Sequence, residues 1–271
     1  MLPEDMQDAP DDATRSLVAS AAARCPAVVA RDASYAATGY RSFEFASFEA
    51  CVGEVVALVS TDVAAARDLA LACAGLVRPT SGSLVVDGVE LARRPRRLHR
   101  ASLPCGLAGV GVFSGLFDID AALTVEQVVR RELELRCDRG TDALEYLSQF
   151  GLATHAGRYV SDLEPAARIR LSCALACAGG VRVAVVDADD RFCYGASVAD
   201  VRDALELLCR VCAERGICAL VATGEPALAD ACDGVCPLDI GAAERLAVGR
   251  DGETEASPDG VPAEPERGRV A

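Results

Sequence analysis

The chain has 271 residues, of which 51% are apolar and 25% charged, a globular composition that allows one large domain or two small ones. A net charge of −14 argues against general binding to nucleic acid or anionic lipid, since both need a cationic surface. All 27 basic residues are arginine, which excludes any mechanism that needs a lysine ammonium, whether on a phosphate, in a Schiff base or as a general base.

Aromatic residues make up only 4% and tryptophan is absent, so Ala, Val and Leu must fill the core. The N-terminus carries Glu4, Asp5, Asp8, Asp11 and Asp12 where an export signal would be basic. The uncharged stretch Leu103 to Phe117 is shorter than a spanning helix and holds four glycines. A cytoplasmic location is expected. Residues 1–27 read as a polar, Ala-rich extension, and 249–271 as a disordered acidic tail rich in Pro and Gly.

Between these ends, strands alternate with helices. Val55–Ser60 is a short apolar run behind a Val52-Gly53 turn and predicts a buried strand. Asp62–Leu76 has helical spacing, and Ser83–Leu91 around Asp87-Gly88 predicts a hairpin. Residues Thr124–Phe150 and Arg168–Ala178 are helical, forming an insert at about 120–178. Val181–Asp187 is a β-branched strand ending in an acid. Val198–Glu214 is an amphipathic helix stopped by Gly216, and Ile217–Thr223, Pro226–Ala231 and Gly234–Ile240 predict strand, short helix and strand. The order predicts an α/β fold with a mostly parallel sheet core, an antiparallel β part and a helical insert.

Thirteen cysteines are scattered through apolar segments and read as small buried hydrophobes in a reducing compartment. The spacing Cys209-x-x-Cys212 with Cys232-x-x-x-Cys236 could suit zinc. However, Cys209 and Cys212 fall on the amphipathic helix with Leu205, Leu208 and Val211, so packing is the expected role and no metal site is assigned. The run Arg93, Arg94, Arg96, Arg97, His99, Arg100 is the basic patch, expected to be a solvated loop because no aromatics are interleaved for stacking.

Several frames resemble the ATP-binding cassette of ABC transporters. They are Gly53–Val59, then Leu69 and Ala74–Gly82 with Val86-Asp87-Gly88, Leu123–Glu126, Val160–Leu163 with Arg168 and Arg170, Val183–Asp187, and Val221–Thr223 with Leu228-Ala229 and Cys232-Asp233. They keep the family's order and cover about residues 28–248. The resemblance implies an ABC-type P-loop fold, with ATP and magnesium as the family's ligands. A permease or a second cassette subunit is the implied partner, holding the chain at the inner face of the membrane.

At the family's catalytic positions the residues differ. The P-loop pattern is G-x-x-x-x-G-K-[ST], whose glycines let successive N–H groups wrap a phosphate. Here Ser60 and Ala65 stand at the glycine positions, Ala66 at the lysine and Arg67 at the magnesium-binding hydroxyl, followed by Asp68. Asp62 is expected to cap the helix and to place its carboxylate where a phosphate would sit.

The glutamine-loop position falls on Ser114. The Walker B aspartate is kept as Asp187, but Ala188 replaces the catalytic glutamate, and Gly224 stands for the switch histidine. Asp189 and Asp190 follow, with Asp189 expected on the other side of an extended chain. The signature-like segment is Leu163-Glu164-Pro165-Ala166-Ala167. Tyr35 or Tyr40 could form an adenine platform, and His99 and His155 fall outside the expected catalytic positions.

The reading is a degenerate cassette subunit that does not hydrolyse ATP and is structural or regulatory, with no cofactor required, although residual ATP or magnesium binding is compatible with it. The alternatives are an atypical active ATPase, with Arg67 for the lysine and Asp189 or Asp190 for the glutamate, and a soluble regulatory scaffold without a transporter.

Overall fold

The computed structural model describes residues 25–37, 40–91, 102–239, 241 and 243. The expected acidic tail, residues 1–24 of the expected N-terminal extension and the Arg93–Arg100 run with His99 lie outside the described residues.

Strands β1 (Pro26–Ala37), β2 (Tyr40–Cys51), β4 (Ser81–Val86) and β5 (Val89–Glu90) form an antiparallel sheet in the order β2-β1-β4-β5. Strands β3 (Val55–Val59), β6 (Ala108–Val110), β7 (Val183–Asp187), β8 (Cys218–Thr223) and β9 (Gly234–Pro237) form a parallel sheet in the order β6-β7-β8-β3-β9. The helices are α1 (Val63–Cys73), α2 (Val125–Leu135), α3 (Ala143–Gln149), α4 (Pro165–Ala176) and α5 (Val198–Arg215).

The central strands β3, β7 and β8 are buried at every position and apolar except at Asp187 and Thr223, which end β7 and β8, because both faces of the parallel sheet are covered. Alternation along each strand divides the core in two. Val183 and Val185 of β7, and Cys218, Leu220 and Ala222 of β8, pack with α1 and the antiparallel sheet. Ala184 and Val186, and Ala219 and Val221, pack with the helices α2 to α5. Asp187 has the parity of Val183 and Val185, so it ends β7 on the α1 side. That parity decides which helix it can meet.

Local chemistry sets the element ends. The β4–β5 turn has positive φ at both Asp87 and Gly88 (45° and 78°), the two-residue hairpin geometry that an Asp-Gly pair permits. Thr124 with Gln127, and Ser197 with Asp200, make capping boxes on α2 and α5. Gly216 ends α5 with φ 65°, as the sequence predicts.

Several boundaries move. The expected helical stretch Thr124–Phe150 is two helices, α2 and α3, with Asp142 capping the second. Residues Pro226–Ala231 form a 3-10 turn, and the last strand stops at Pro237. The fourth helix starts at Pro165, not Arg168, since proline fits the first helical position. The antiparallel sheet begins at Pro26, inside the expected N-terminal extension, and Ala27 is buried beneath the Asp87 amide.

Candidate functional site

The turn between β3 and α1 holds the residues expected at the P-loop position, and its amides are already engaged. The Ser60 amide donates to Thr223 O at 3.1 Å, continuing the β3–β8 ladder. Thr61 N and Ser60 Oγ both donate to Asp239 Oδ2 at 2.8 Å. Asp62 N donates back to Ser60 Oγ at 3.1 Å, and Ala64 N donates to Asp62 Oδ1 at 3.0 Å. Asp62 therefore caps α1 as expected. Helix begins at Val63, and Ala65 and Ala66 are buried on its inner face. Two carboxylates, Asp62 and Asp239, hold the amides at this helix start.

One turn into α1, Arg67 reaches across to the end of β7. Its Nη1 lies 3.7 Å from Asp187 Oδ2 and 3.6 Å from Asp190 Oδ2. Its Nη2 donates to Ser114 O at 2.8 Å, and its guanidinium lies 5.4 Å from the centroid of the buried Phe113 ring. Asp190 in turn accepts from Ser114 N at 2.7 Å, from Ser114 Oγ at 2.5 Å and from Phe192 N at 2.8 Å. Asp187 and Asp190 are both buried. Burial pushes the Asp187 carboxyl up to about 7, against the pull of Arg67 and with a further push from Asp190. Asp68, the next residue on α1, is half-buried.

Asp189 is directed to the switch position. Its carboxylate accepts from the Gly224 amide, while its own amide donates to Asp187 Oδ1 at 3.1 Å. Burial raises its pKa, and the bonds from Gly224 and Thr223 oppose the rise. A Cβ added at Gly224 would lie 3.1 Å from Val63 Cγ2 and 3.5 Å from Ser60 O, so this glycine sits against the β3–α1 turn.

The structure thus brings together Ser60, Arg67, Ser114, Asp187 and Gly224, five of the expected positions, with Ala65 and Ala66 behind them. Ala188 is buried in the other half of the core. Two participants were not assigned these roles from sequence. Asp239 lies 178 residues from Thr61, and its only signal is an acid near the end of an apolar run. Asp190 was read from sequence only as an alternative to the catalytic glutamate, not as the partner of Ser114, which lies 76 residues away.

The signature-like segment belongs to the opposite half of the core. Leu163 and Ala167 pack there, while Glu164 is exposed and pairs with Arg158 at 3.2 Å. Pro165 opens α4, and Ala166 is half-exposed in its first turn. Tyr35 packs on Phe43 with ring centroids 6.2 Å apart, Tyr40 is exposed, and His155 lies in a 3-10 turn of the helical part. Cys209 donates to Ala231 O at 3.3 Å and Cys212 is buried, whereas Cys236 packs in the α1 half of the core.

Beside the site, an apolar groove of about 830 Å³ runs between β6 and α2, lined by Leu76, Ala108, Val110, Phe117, Leu135 and Leu175 among others. Leu76, Phe117 and Leu135 keep much of their surface exposed at its rim. The backbone of β6 presses on α4 below it: a Cβ at Gly109 would meet Ala176 O at 1.9 Å. Among the described residues no helix is long and apolar enough to cross a membrane.

No family model matches the chain. It is 27% identical over 216 residues to the methionine import ATP-binding protein MetN of Caulobacter vibrioides, covering 77% of this chain and 62% of that protein. It is 31% identical over 142 residues to MetN of Streptomyces avermitilis, covering 50% of this chain and 41% of that protein. The chain thus spans less than two thirds of the length of these relatives.

Among solved structures, the post-hydrolysis dimer of the ATP-binding cassette MJ0796 bound to ADP and Pi superposes with a TM-score of 0.59 at 17% identity, covering 78% of this chain and 94% of that one. CbiO1 from Clostridium perfringens gives 0.59 at 16% identity, covering 86% and 96%. The parallel sheet with its antiparallel companion and helical insert is the fold these proteins share. With the motif frames in order along the sequence and the same fold in three dimensions, the chain has the fold of the ATP-binding cassettes and is similar in sequence to ATP-binding subunits of ABC transporters.

Proposed function

We propose that this chain is a cassette subunit of an ABC transporter that does not hydrolyse ATP and acts as a structural or regulatory member of the complex. The observation that carries the reading is Arg67. Its guanidinium faces Asp187 and Asp190, where catalysis in this family needs a hydroxyl, a magnesium ion and phosphate oxygens. A divalent cation brought there would meet a resident positive charge. A phosphate at the helix start would have to displace the carboxylates of Asp62 and Asp239 from the amides they hold. The residues present therefore do not fit a magnesium-bound triphosphate, and no ATP or magnesium is required in the proposed role.

The transporter setting is supported by the relatives, which are import ATP-binding proteins. It is supported also by the apolar groove, whose exposed leucines offer a docking face for a permease segment. In this reading the chain sits at the cytoplasmic face of the membrane through its partner, a permease, a second cassette or both. The proposal covers the transporter class and not its cargo.

An active ATPase with Asp189 as the general base would draw on that carboxyl's raised pKa. Its oxygens, however, are bonded to Gly224 and Thr223.

Titration calorimetry of the chain with MgATP tests the binding side. No saturable heat is expected at millimolar nucleotide, and a micromolar dissociation constant would overturn the reading.

A further inference from the structure

The segment Gly111–Phe117 joins the candidate site to the groove, and its backbone is bonded at every amide. Gly111 N donates to Val185 O at 2.9 Å and Val112 N to Ser172 Oγ at 3.0 Å. Phe113 N donates to Phe117 O, and Leu116 N and Phe117 N both donate to Phe113 O. Ser114 N donates to Asp190 and Gly115 N to Asp118. Gly111, Val112 and Phe117 also line the groove. The conformation of this loop therefore shapes the groove wall.

From α1, the Arg67 side chain bonds to that loop. It makes three kinds of contact at once: an N–H donated to Ser114 O, charge opposite Asp187 and Asp190, and a ring contact on Phe113. A planar guanidinium can satisfy all three because its donors diverge in a fixed fork. The same charge compensates the buried Asp190 carboxylate, which itself holds Ser114 by two bonds. The loop is thus fastened at one residue from two sides, by a cation on α1 and by an anion after β7.

We infer that Arg67 is a built-in latch, a guanidinium standing in for the ligand-borne cation, which fixes the 111–117 loop and hence the groove wall in one geometry whether or not nucleotide is present. The inference rests on the proposed function and deepens it: the subunit offers its partner a constant face instead of one driven by ATP. In this arrangement Arg67 is a positioning residue. It acts on the groove through Ser114 and Phe113.

Hydrogen exchange of the full chain tests it. In the wild type, amides 112–117 exchange at the same rate with and without millimolar MgATP. In Arg67→Met, which keeps a stem over Phe113 but loses charge and donors, the same amides exchange about tenfold faster or more, while β7 and β8 keep their protection. Arg67→Lys falls between the two, since a single ammonium supplies charge without the fork.

Wild-type protection in Arg67→Met would overturn the latch, and so would a loop in the wild type that slows its exchange when MgATP is added. The second result needs no variant to fold. ATP turnover tests the proposed function separately, so a latch that fails in a chain without turnover overturns this inference alone.

Discussion

Arg67 Nη1 stands 3.7 Å from Asp187 Oδ2, a pairing between the helix that follows β3 and the end of β7, with strand β8 lying between the two strands. A cation from the protein's own chain thus faces the carboxylate at the expected Walker B position, and the consequences can be measured.

The first concerns pH. Burial raises the Asp187 carboxyl to about 7, above its unfolded value of about 3.9. Between those values the folded state binds more protons than the unfolded state, so stability falls as pH rises through that window. The contribution is fully present below about pH 4 and is lost by about pH 7, amounting to at most about 4 kcal/mol. Asp187→Asn removes it. Urea denaturation from pH 4.5 to 7.5 should show the wild type losing stability relative to Asp187→Asn as pH rises. A difference that is flat with pH would contradict the assignment.

The second concerns the helix start. Asp62 accepts from Ala64 N and caps α1. Asp62→Ala should cost about 1 kcal/mol. Equilibrium urea denaturation reads this directly, and an unchanged midpoint would mean that the cap adds nothing.

The third concerns the contact of β6 with α4. A methyl group at Gly109 would lie 1.9 Å from Ala176 O, a clash with the backbone of α4. Gly109→Ala should destabilise by about 3 kcal/mol or more. Gly180→Ala, with nothing within 4 Å of its added Cβ, is the matched control and should melt near the wild-type temperature.

How much of this was legible in the sequence follows from which forces are local. The buried strands, the Asp62 cap, the Asp87-Gly88 hairpin and the Gly216 stop are set by neighbouring residues, and the sequence showed them. Strands β1 and β2 were not read. Their register shifts at several points, and Asp32 and Phe45 take positive φ, so the two-residue alternation is broken. Strand β6 has only three residues, two of them Ala and Gly, too few to carry a pattern. In the site, Arg67, Ser114, Asp187 and Gly224 were found because each falls in a motif frame. The roles of Asp190 and Asp239 depend on contacts 76 and 178 residues away along the chain, which no local pattern encodes.

The fourth prediction concerns assembly. Glu164 is exposed at the signature-like segment, and Pro165, the first residue of α4, has no amide to donate. If this face pairs with a competent cassette, it brings a carboxylate and a missing donor to the shared site, while Arg67 and Asp62 occupy the other. A purified mixed complex should therefore hydrolyse ATP no faster than the partner alone, and excess of this chain should slow the partner. Faster turnover in the mixed complex would contradict this expectation.

The most direct test of the account is phosphate release by the purified chain in MgATP. With Arg67 against Asp187, and Ala66, Ala188 and Gly224 at the expected lysine, glutamate and histidine positions, turnover is predicted to equal the protein-free blank. Magnesium-dependent turnover in the wild type that disappears in Asp187→Asn would contradict it.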